Sequence, residues 1–480
     1  MSTMVPEKVT ALSKTEEAAV PVAEHEKVER MTPPMKIVVA SSLVLRVAGA
    51  MTAILLSSLL RQELNAGPGL IGILYALFYV TELLLSPIFG ALSDLRGRRL
   101  ILVLGPLVGA VALPIYPLSA VLGVSVLGVG LLAIARLVEG VATAAKVPSA
   151  LGYLADATSG EGRARASLRG RTMGMYEASF VVGLVAGQVI GGRLWDFVHV
   201  WGFFLVSGVY LVAVAMLYFW VPETLPAEAR EHRAKELLAT SDASHPVRAL
   251  LSSRLSAYSS LLKEPALRSF VPAWLAVNAV VGLFGNLAQP LMLSTRRISD
   301  HLPTITDHFP NQALDGKFTA SEAGLLFGIF GTIFMVGIFV WSLLYARVRK
   351  STVMLVGACG LFVMCLALYG INDHLFSLPE PWNVSLWIPF LVVGLFMVSG
   401  FAPVALAYLA EISGTKVEHR GAVMGLYSVF LSAGQLIGSG AGGWFVETTH
   451  LGFNGLILGT FILAIIAFAT IWWLRRTRSI

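Results

Sequence analysis

The stretch RGRTMGMYEASFVVGLVAGQVIGG (169–192) is repeated later in the chain as RGAVMGLYSVFLSAGQLIGSGAGG (420–443). The two copies align without a gap and share nine identical residues, six of which are glycines. A second block lies directly upstream in both places, where PSALGYLADATSG (148–160) is similar to PVALAYLAEISG (403–414). Two matching blocks in the same register indicate an internal repeat.

The composition places both copies in a membrane. Of the 480 residues 56% are hydrophobic and only 13% are charged, whereas a soluble domain has roughly 25% charged residues. So little charge cannot cover a water-soluble particle, which excludes a soluble enzyme, a nucleic-acid-binding protein and a disordered scaffold. Two cysteines cannot form a disulfide framework. We therefore predict an all-α integral membrane protein.

A helix crosses the hydrocarbon layer in ~20 apolar residues, because its backbone polar groups must be satisfied internally. Twelve stretches qualify: 37–60, 69–91, 100–119, 128–156, 169–192, 200–220, 270–293, 322–345, 352–371, 386–411, 420–446 and 453–474. The repeat falls in spans five and eleven, so the halves contain six spans each. Parallel repeats of this kind occur in transporters with a central substrate site. We expect two pseudo-symmetric six-helix bundles.

The polar segments divide the chain further. We expect a disordered tail at 1–34, a first bundle at 35–221 and a linker at 222–269, which contains amphipathic helices at 227–239 and 247–262. A second bundle at 270–475 and a short tail at 476–480 follow.

The distribution of basic residues predicts the orientation. Short loops and the C-terminal tail hold fifteen Lys and Arg residues on the side of the N-terminus and five on the other side. By the positive-inside rule, both termini are cytoplasmic. We expect a multi-pass, monomeric protein of the bacterial inner membrane.

The glycines of the repeat recur mostly at four-residue intervals. Small residues at this spacing let helices pack closely, and they could also permit bending or sliding during a conformational cycle. The positions in this helix-packing motif are Gly183, Gly187, Gln188, Gly191, Gly192, Gly434, Gly438, Gly442 and Gly443.

Six charged residues lie in the hydrocarbon part of the predicted spans, away from the first and last residues of each span, and all of them are in the first half: Arg46, Glu82, Arg136, Glu139, Lys146 and Glu177. A charge at mid-bilayer costs at least ~2.5–3.5 kcal/mol, so it is normally paired or faces a water-filled cavity. We expect a midplane cluster that binds substrate or exchanges protons, with partners for Glu139 and Lys146 on other helices. A static salt-bridge network that locks the helices together is the alternative.

The loop GALSDLRGRRLIL (90–102) resembles the signature loop of the major facilitator superfamily through Gly90, Asp94, Gly97, Arg98 and Arg99. ARLVEGVATAA in span four and VPETLP after span six also resemble elements of that family. GLVAGQVIGG in span five is similar to the motif of its proton-driven exporters, except that Gln188 replaces a proline. YLADATSGEGRAR resembles the twelve-span tetracycline and drug exporters.

This resemblance implies the major facilitator fold and a mechanism of alternating access. The activity that it implies first is proton-coupled efflux of small amphipathic compounds. Its partners would be a small-molecule substrate, protons and the lipid bilayer, with no cofactor, metal or nucleic acid. Proton symport or facilitated import of a metabolite, which could be anionic, and lipid transport are the alternatives. No nucleophile triad, phosphate loop or metal-ligand spacing points to an enzyme.

The symmetric fold also predicts contacts at the cytoplasmic gate. Asp94 is expected beside the start of span eleven, where Arg420 lies at a helix N-terminus. Arg98 is expected to reach Asp156 at the inner end of span four. Both contacts are expected to join elements that separate when the cavity opens inward.

Overall fold

The computed structural model describes residues 30–159, 163–239, 265–295, 311–344, 348–373, 382–405 and 420–478, with single residues between some of these ranges. In these ranges the chain is almost wholly helical. Residues 1–29 of the predicted disordered tail and most of the predicted amphipathic helix at 247–262 lie outside the described residues. Residues 30–34 are described, and the first helix already begins at Pro33.

Twelve long helices follow the predicted order of spans, so helix and span numbers coincide. The first six are α1 (Pro33–Ser58), α2 (Pro68–Arg96), α3 (Arg98–Ala112, continued by Ile115–Leu122), α4 (Val126–Ala157), α5 (Arg163–Val198) and α6 (Gly202–Trp220). A shorter helix, Ala227–Ala239, occupies the linker. The others are α7 (Pro265–Met292), α8 (Ala320–Leu344), α9 (Lys350–Asn372), α10 (Trp382–Ser399), α11 (Arg420–Thr449) and α12 (Phe453–Arg478).

The described residues contain eleven helical stretches that are long and apolar enough to cross a membrane. One of them, Ser167–Trp220, has 54 residues and includes both α5 and α6, separated by the turn His199–Trp201. A continuous helix of that length would measure about 80 Å, well over twice the hydrocarbon thickness. This stretch therefore accounts for two crossings, and the predicted twelve-span, all-α membrane protein is confirmed.

Local sequence explains how the helices begin and end. Gly97, whose φ is +111°, separates α2 from α3 in a conformation that side chains rarely adopt. Ser125 caps α4 by accepting a hydrogen bond from the Gly128 N–H, 3.1 Å away. Gly123, with φ +61°, ends the preceding helix. The uncharged stretch between spans three and four therefore contains a tight turn.

The two halves pack alike. In the first half α1 packs on α5 and α6, α4 on α2 and α3, and α3 on α6. The second half repeats each of these pairs, with α7 on α11 and α12, α10 on α8 and α9, and α9 on α12. Two further pairs, α2 with α11 and α5 with α8, join the halves.

The glycines of the repeat lie at both kinds of interface. Methyl groups at Gly183, Gly187 and Gly191 would collide with α1, and those at their equivalents Gly434, Gly438 and Gly442 with α7. A methyl group at Gly192 would instead collide with Ala320 of α8, and one at Gly443 with Pro68 and Gly72 of α2. The repeated glycines therefore hold each half together and also permit close contact between the halves.

Among the described residues, one hydrophobic core joins the two halves, and it lies toward one end of the molecule. We call the end that carries Gly97 and residues 221–264 the linker end, and the end that carries Gly67 and Thr319 the far end.

Toward the far end, one apolar core runs through both halves, from Leu55 and Leu74 to Leu287. Toward the linker end the core divides in two. One part surrounds Tyr153 and Tyr176 in the first half. The other part, in the second half, is composed of Phe270, Trp274, Phe401 and their neighbours. Among the described residues, the structure is thus closed at the far end and open at the linker end.

Candidate substrate and coupling site

Glu82 lies on α2, close to α11 of the opposite half. Its helix, α2, packs on α11 from Pro68 onward, and Glu82 is fourteen residues further, about 21 Å along the axis. The half-buried Glu82 carboxylate is within hydrogen-bonding reach of Ser432 on α11 and within electrostatic range of Arg46 and Lys146. This carboxylate therefore faces groups from both halves at the closed end of the cavity.

Arg46 on α1 is surrounded by residues of α5. Its guanidinium carbon lies 4.4 Å from the centre of the Phe180 ring, and its side chain forms a hydrogen bond with Tyr176. It is also within electrostatic range of Glu177, which is exposed on the part of α5 that leads to the linker end. Arg46 can therefore interact with Glu82 on one side and with Glu177 on the other.

Arg136 and Glu139 form a separate, closed group. The Arg136 Nη1 atom lies 2.6 Å from Glu139 Oε2, and the Tyr116 hydroxyl donates to the same oxygen at 2.7 Å. Arg136 also donates to the Leu74 carbonyl oxygen at 3.2 Å and lies 4.7 Å from the centre of the Phe78 ring. Both ionic side chains are buried and well partnered.

Five of the six predicted residues therefore form two groups, whereas the sequence predicts one cluster. Glu139 finds its ionic partner within its own helix, where the prediction places that partner on another helix. Lys146 lies between the groups, within electrostatic range of Arg46, Glu82 and Glu139. Among the described residues, no group of three or more His, Cys, Asp or Glu side chains is arranged to hold a metal ion.

A buried polar network closes the cavity on the far side. Gln289 of α7 donates to Gln188 of α5 at 2.7 Å and accepts from Ser57 of α1 at 3.3 Å. Nearby, Asn286 of α7 donates to Ser439 of α11 at 2.7 Å and to Tyr79 of α2 at 3.2 Å. Gln188, at the position of the exporter-motif proline, thus forms a hydrogen bond between the two halves.

The signature loop is organised around Arg98. This side chain forms ion pairs with Asp94 and, at 3.0 Å, with Asp156, and it donates to Ser93 at 2.9 Å. The predicted contact with Asp156 is present. The side chain of Arg420, the predicted partner of Asp94, lies outside the described residues.

One expectation about this loop is wrong. We expect the contact between Arg98 and Asp156 to break when the cavity opens toward the linker, yet it is intact in a structure that is open there. The physical reason is that α3 and α4 belong to the same half and pack on each other, so they move together. This ion pair holds the loop in place and does not gate.

Glu223, the acid of VPETLP, is a functional residue that the sequence patterns do not predict. Its carboxylate accepts hydrogen bonds from the backbone N–H groups of Arg98 at 2.9 Å and Arg99 at 3.1 Å. Gly97, the N-cap of α3, has no side chain to cap this helix, so Glu223 supplies the acceptor from the end of α6. A side chain at Gly97 would collide with that carboxylate. The signal in the sequence is an acid next to a proline at a helix end.

The two similar halves, the closed far end and the charged residues buried within the apolar helices are those of a membrane transporter and not of an enzyme. Residues 38–305 and 301–479 match the family model of the Major Facilitator Superfamily, and the chain belongs to this family.

Curated relatives match part of the chain. Tetracycline resistance protein, class C, of Escherichia coli is 38% identical over 123 residues, covering 26% of this chain and 28% of that protein. Multidrug resistance protein 2 of Bacillus subtilis (strain 168) is 29% identical over 159 residues, covering 33% and 36%. The chain thus spans only about a third of the length of these relatives.

Solved structures match the whole fold. The nucleoside transporter NupG has a TM-score of 0.66 and 12% identity, covering 93% of this chain and 99% of that one. A bacterial homologue of the iron transporter ferroportin, in an inward-facing state, has a TM-score of 0.64 with the same identity and coverage. At this identity the similarity concerns the fold alone.

Proposed function

We propose that this protein is a proton-coupled exporter of small amphipathic compounds that works by alternating access. The observation that carries the proposal is the position of Glu82. This intramembrane carboxylate faces Ser432 of the opposite half and the cations Arg46 and Lys146 at the boundary between closed and open regions. A group at this boundary changes its surroundings whenever the halves rearrange.

Such a change of surroundings can couple proton movement to transport. Water access and nearby cations favour the carboxylate, whereas desolvation favours the neutral acid. In the proposed cycle, Glu82 takes up a proton when the cavity opens outward and releases it toward the cytoplasm. Substrate binding and protonation then alternate at one site. The partial similarity to tetracycline and multidrug resistance proteins supports export as the direction.

The proposal includes an orientation and a location. The linker end is cytoplasmic, together with both termini, and the far end faces the outside of a bacterial inner membrane. The fifteen-to-five distribution of basic residues supports this orientation. The structure then corresponds to an inward-open state, ready to receive a compound from the cytoplasm or the inner leaflet.

One observation favours a second function. Arg46 and Lys146 both lie within electrostatic range of Glu82, so two basic side chains from different helices lie close together. This pair would suit an anionic metabolite, carried by proton symport or facilitated diffusion.

Transport in proteoliposomes tests the proposal. Purified protein is reconstituted, a pH gradient of either sign is imposed, and the uptake of tetracycline, lipophilic cations and small organic anions is measured. For an exporter, vesicles in which the protein is inverted should accumulate an amphipathic compound when their interior is acidic, and a protonophore should abolish that accumulation. Accumulation of anions alone, driven by inward proton flow, would favour symport. Gradient-independent equilibration would indicate a facilitator.

A further inference from the structure

The repeat extends beyond the aligned glycines to the ends of α5 and α11. Continuing the alignment places Asp196 opposite Glu447 and His199 opposite His450. The two histidines have φ values of +48° and +52°, which are uncommon for residues other than glycine. The first residue after α5 and the first residue after α11 therefore share a positive φ, and an acid precedes each of them by three residues.

The first of these acids contacts the opposite half. Asp196 Oδ2 accepts a hydrogen bond from the backbone N–H of Ser321 at 3.0 Å, in the first turn of α8. First-turn N–H groups have no partner within their own helix. The side chains of Thr319 and Glu322 cap other groups at this helix start. Asp196 supplies an acceptor that comes from the first half.

The second acid lies at the equivalent place, beside the start of α2. The Glu447 carboxylate lies against Gly67 and Gly69, so that a methyl group at Gly67 would approach Oε1 to 3.1 Å and one at Gly69 would overlap Oε2. Gly67 is the N-cap and provides no capping side chain of its own. The two glycines thus leave room for a carboxylate from α11 beside the positive end of the α2 dipole.

We propose that Asp196 and Glu447 are positioning residues that latch the far end closed across the interface between the halves. Each links the end of one helix to the start of a helix in the other half, and the two contacts are related by the internal repeat. Opening the far end separates α5 from α8 and α11 from α2, so both carboxylates lose their contacts with the starts of α8 and α2. The latches therefore stabilise the state that is open at the linker end. This inference rests on the proposed alternating access.

Cysteine labelling in detergent tests the latches without substrate, gradient or knowledge of orientation. The reporter is Ala76→Cys, in a background without Cys359 and Cys365, because Ala76 is buried at the far end against Gly440 of α11. A second reporter, Ala213→Cys, is buried within the first half and detects general loosening.

Asp196→Ala and Glu447→Ala should each raise the rate of maleimide labelling at Ala76→Cys by roughly threefold to tenfold, with the rate at Ala213→Cys unchanged. In the double variant, the labelling rate at Ala76→Cys should rise by about the product of the two single increases, since the latches lie on different helix pairs. Asp373→Ala is the matched control. It removes an exposed far-end acid whose hydrogen-bond partners, Asn454 and Tyr369, belong to the same half, and it should have no effect.

Three results would overturn the proposal. The first is an unchanged rate at Ala76→Cys in the folded variants. The second is an equal rise at both reporters, which would mean that the acids stabilise the fold as a whole. The third is an equal rise with Asp373→Ala, which would indicate a general effect of surface charge. None of these depends on which compound is moved or on whether protons drive it, so failure here is distinguishable from failure of the proposed function.

Discussion

Gly191 and Gly192 are adjacent on α5 but belong to different interfaces. A methyl group at Gly191 would meet Ile54 at 2.6 Å and Met51 at 2.8 Å, both on α1 of the same half. A methyl group at Gly192 would collide with Ala320 of α8, in the other half. The same division recurs at Gly442 and Gly443 in the second copy of the repeat. One pair of glycines thus serves both the stability of a half and the closure between halves.

Alanine substitutions should separate these two roles. Gly191→Ala should lower the free energy of unfolding by about 1–3 kcal/mol, because overpacking forces α1 and α5 apart. Gly192→Ala should cost less stability but should raise far-end labelling at Ala76→Cys, because it disfavours the closed contact with α8. Thermal unfolding and labelling in detergent measure the two effects. Equal thermal destabilisation without a change in labelling would show that both glycines serve packing alone.

Gly174 provides the matched control on the same helix. A methyl group there would meet no atom within 4 Å. Gly174→Ala should therefore leave stability unchanged or raise it by up to about 1 kcal/mol, as expected for alanine in a helix.

Glu82 is expected to carry proton coupling. Glu82→Gln should abolish accumulation driven by a pH gradient while retaining substrate counterflow, because the amide resembles a permanently protonated acid. Both activities are measured in proteoliposomes. Wild-type accumulation in this variant would place the coupling site elsewhere, whereas loss of counterflow as well would indicate a role in binding or folding.

Glu139 is expected to behave differently, although it is also an intramembrane acid. Glu139→Gln leaves Arg136 buried without its carboxylate, which should cost about 3 kcal/mol of stability. The double variant Arg136→Met, Glu139→Leu should recover much of that loss, because it removes both buried charges. Thermal unfolding in detergent measures the effect. A stable Glu139→Gln protein that had lost only gradient-driven transport would move the coupling role to Glu139.

The contrast between these acids shows what the sequence can predict. Hydropathy and the repeat predict twelve spans and two similar halves, because lipid imposes one pattern on each span. They also place six charges in the membrane. They do not reveal which charges are paired, because the hydroxyl partner of Glu139, Tyr116, is an ordinary aromatic residue of span three. Likewise, the carboxylate that caps α3, Glu223, lies 125 residues from Arg98 in the chain. Partners so distant in sequence come together only through helix packing.

Topology provides a further test. In a background without Cys359 and Cys365, Glu228→Cys in the linker helix and Lys317→Cys before α8 should label from opposite sides of the membrane. Both positions are exposed. Asp315, in the same loop as Lys317, is unsuitable because it is buried. An impermeant maleimide applied to intact cells should reach Lys317→Cys only, and labelling of both or of Glu228→Cys alone would contradict the proposed orientation.

The capping of α3 by Glu223 gives the last prediction. Glu223→Ala removes the acceptor for the Arg98 and Arg99 N–H groups, so thermal stability should fall by about 1–2 kcal/mol. Glu228→Ala, an exposed acid of the linker helix, is the control and should change stability little. Glu223→Gln keeps an acceptor but loses the charge, so its loss of thermal stability should lie between those of Glu223→Ala and Glu228→Ala. Because the Arg98 ion pair with Asp156 remains within the first half, none of these variants should change far-end labelling at Ala76→Cys. A rise in that labelling with Glu223→Ala would mean that the start of the linker acts on the equilibrium between states, and not only on the stability of the first half.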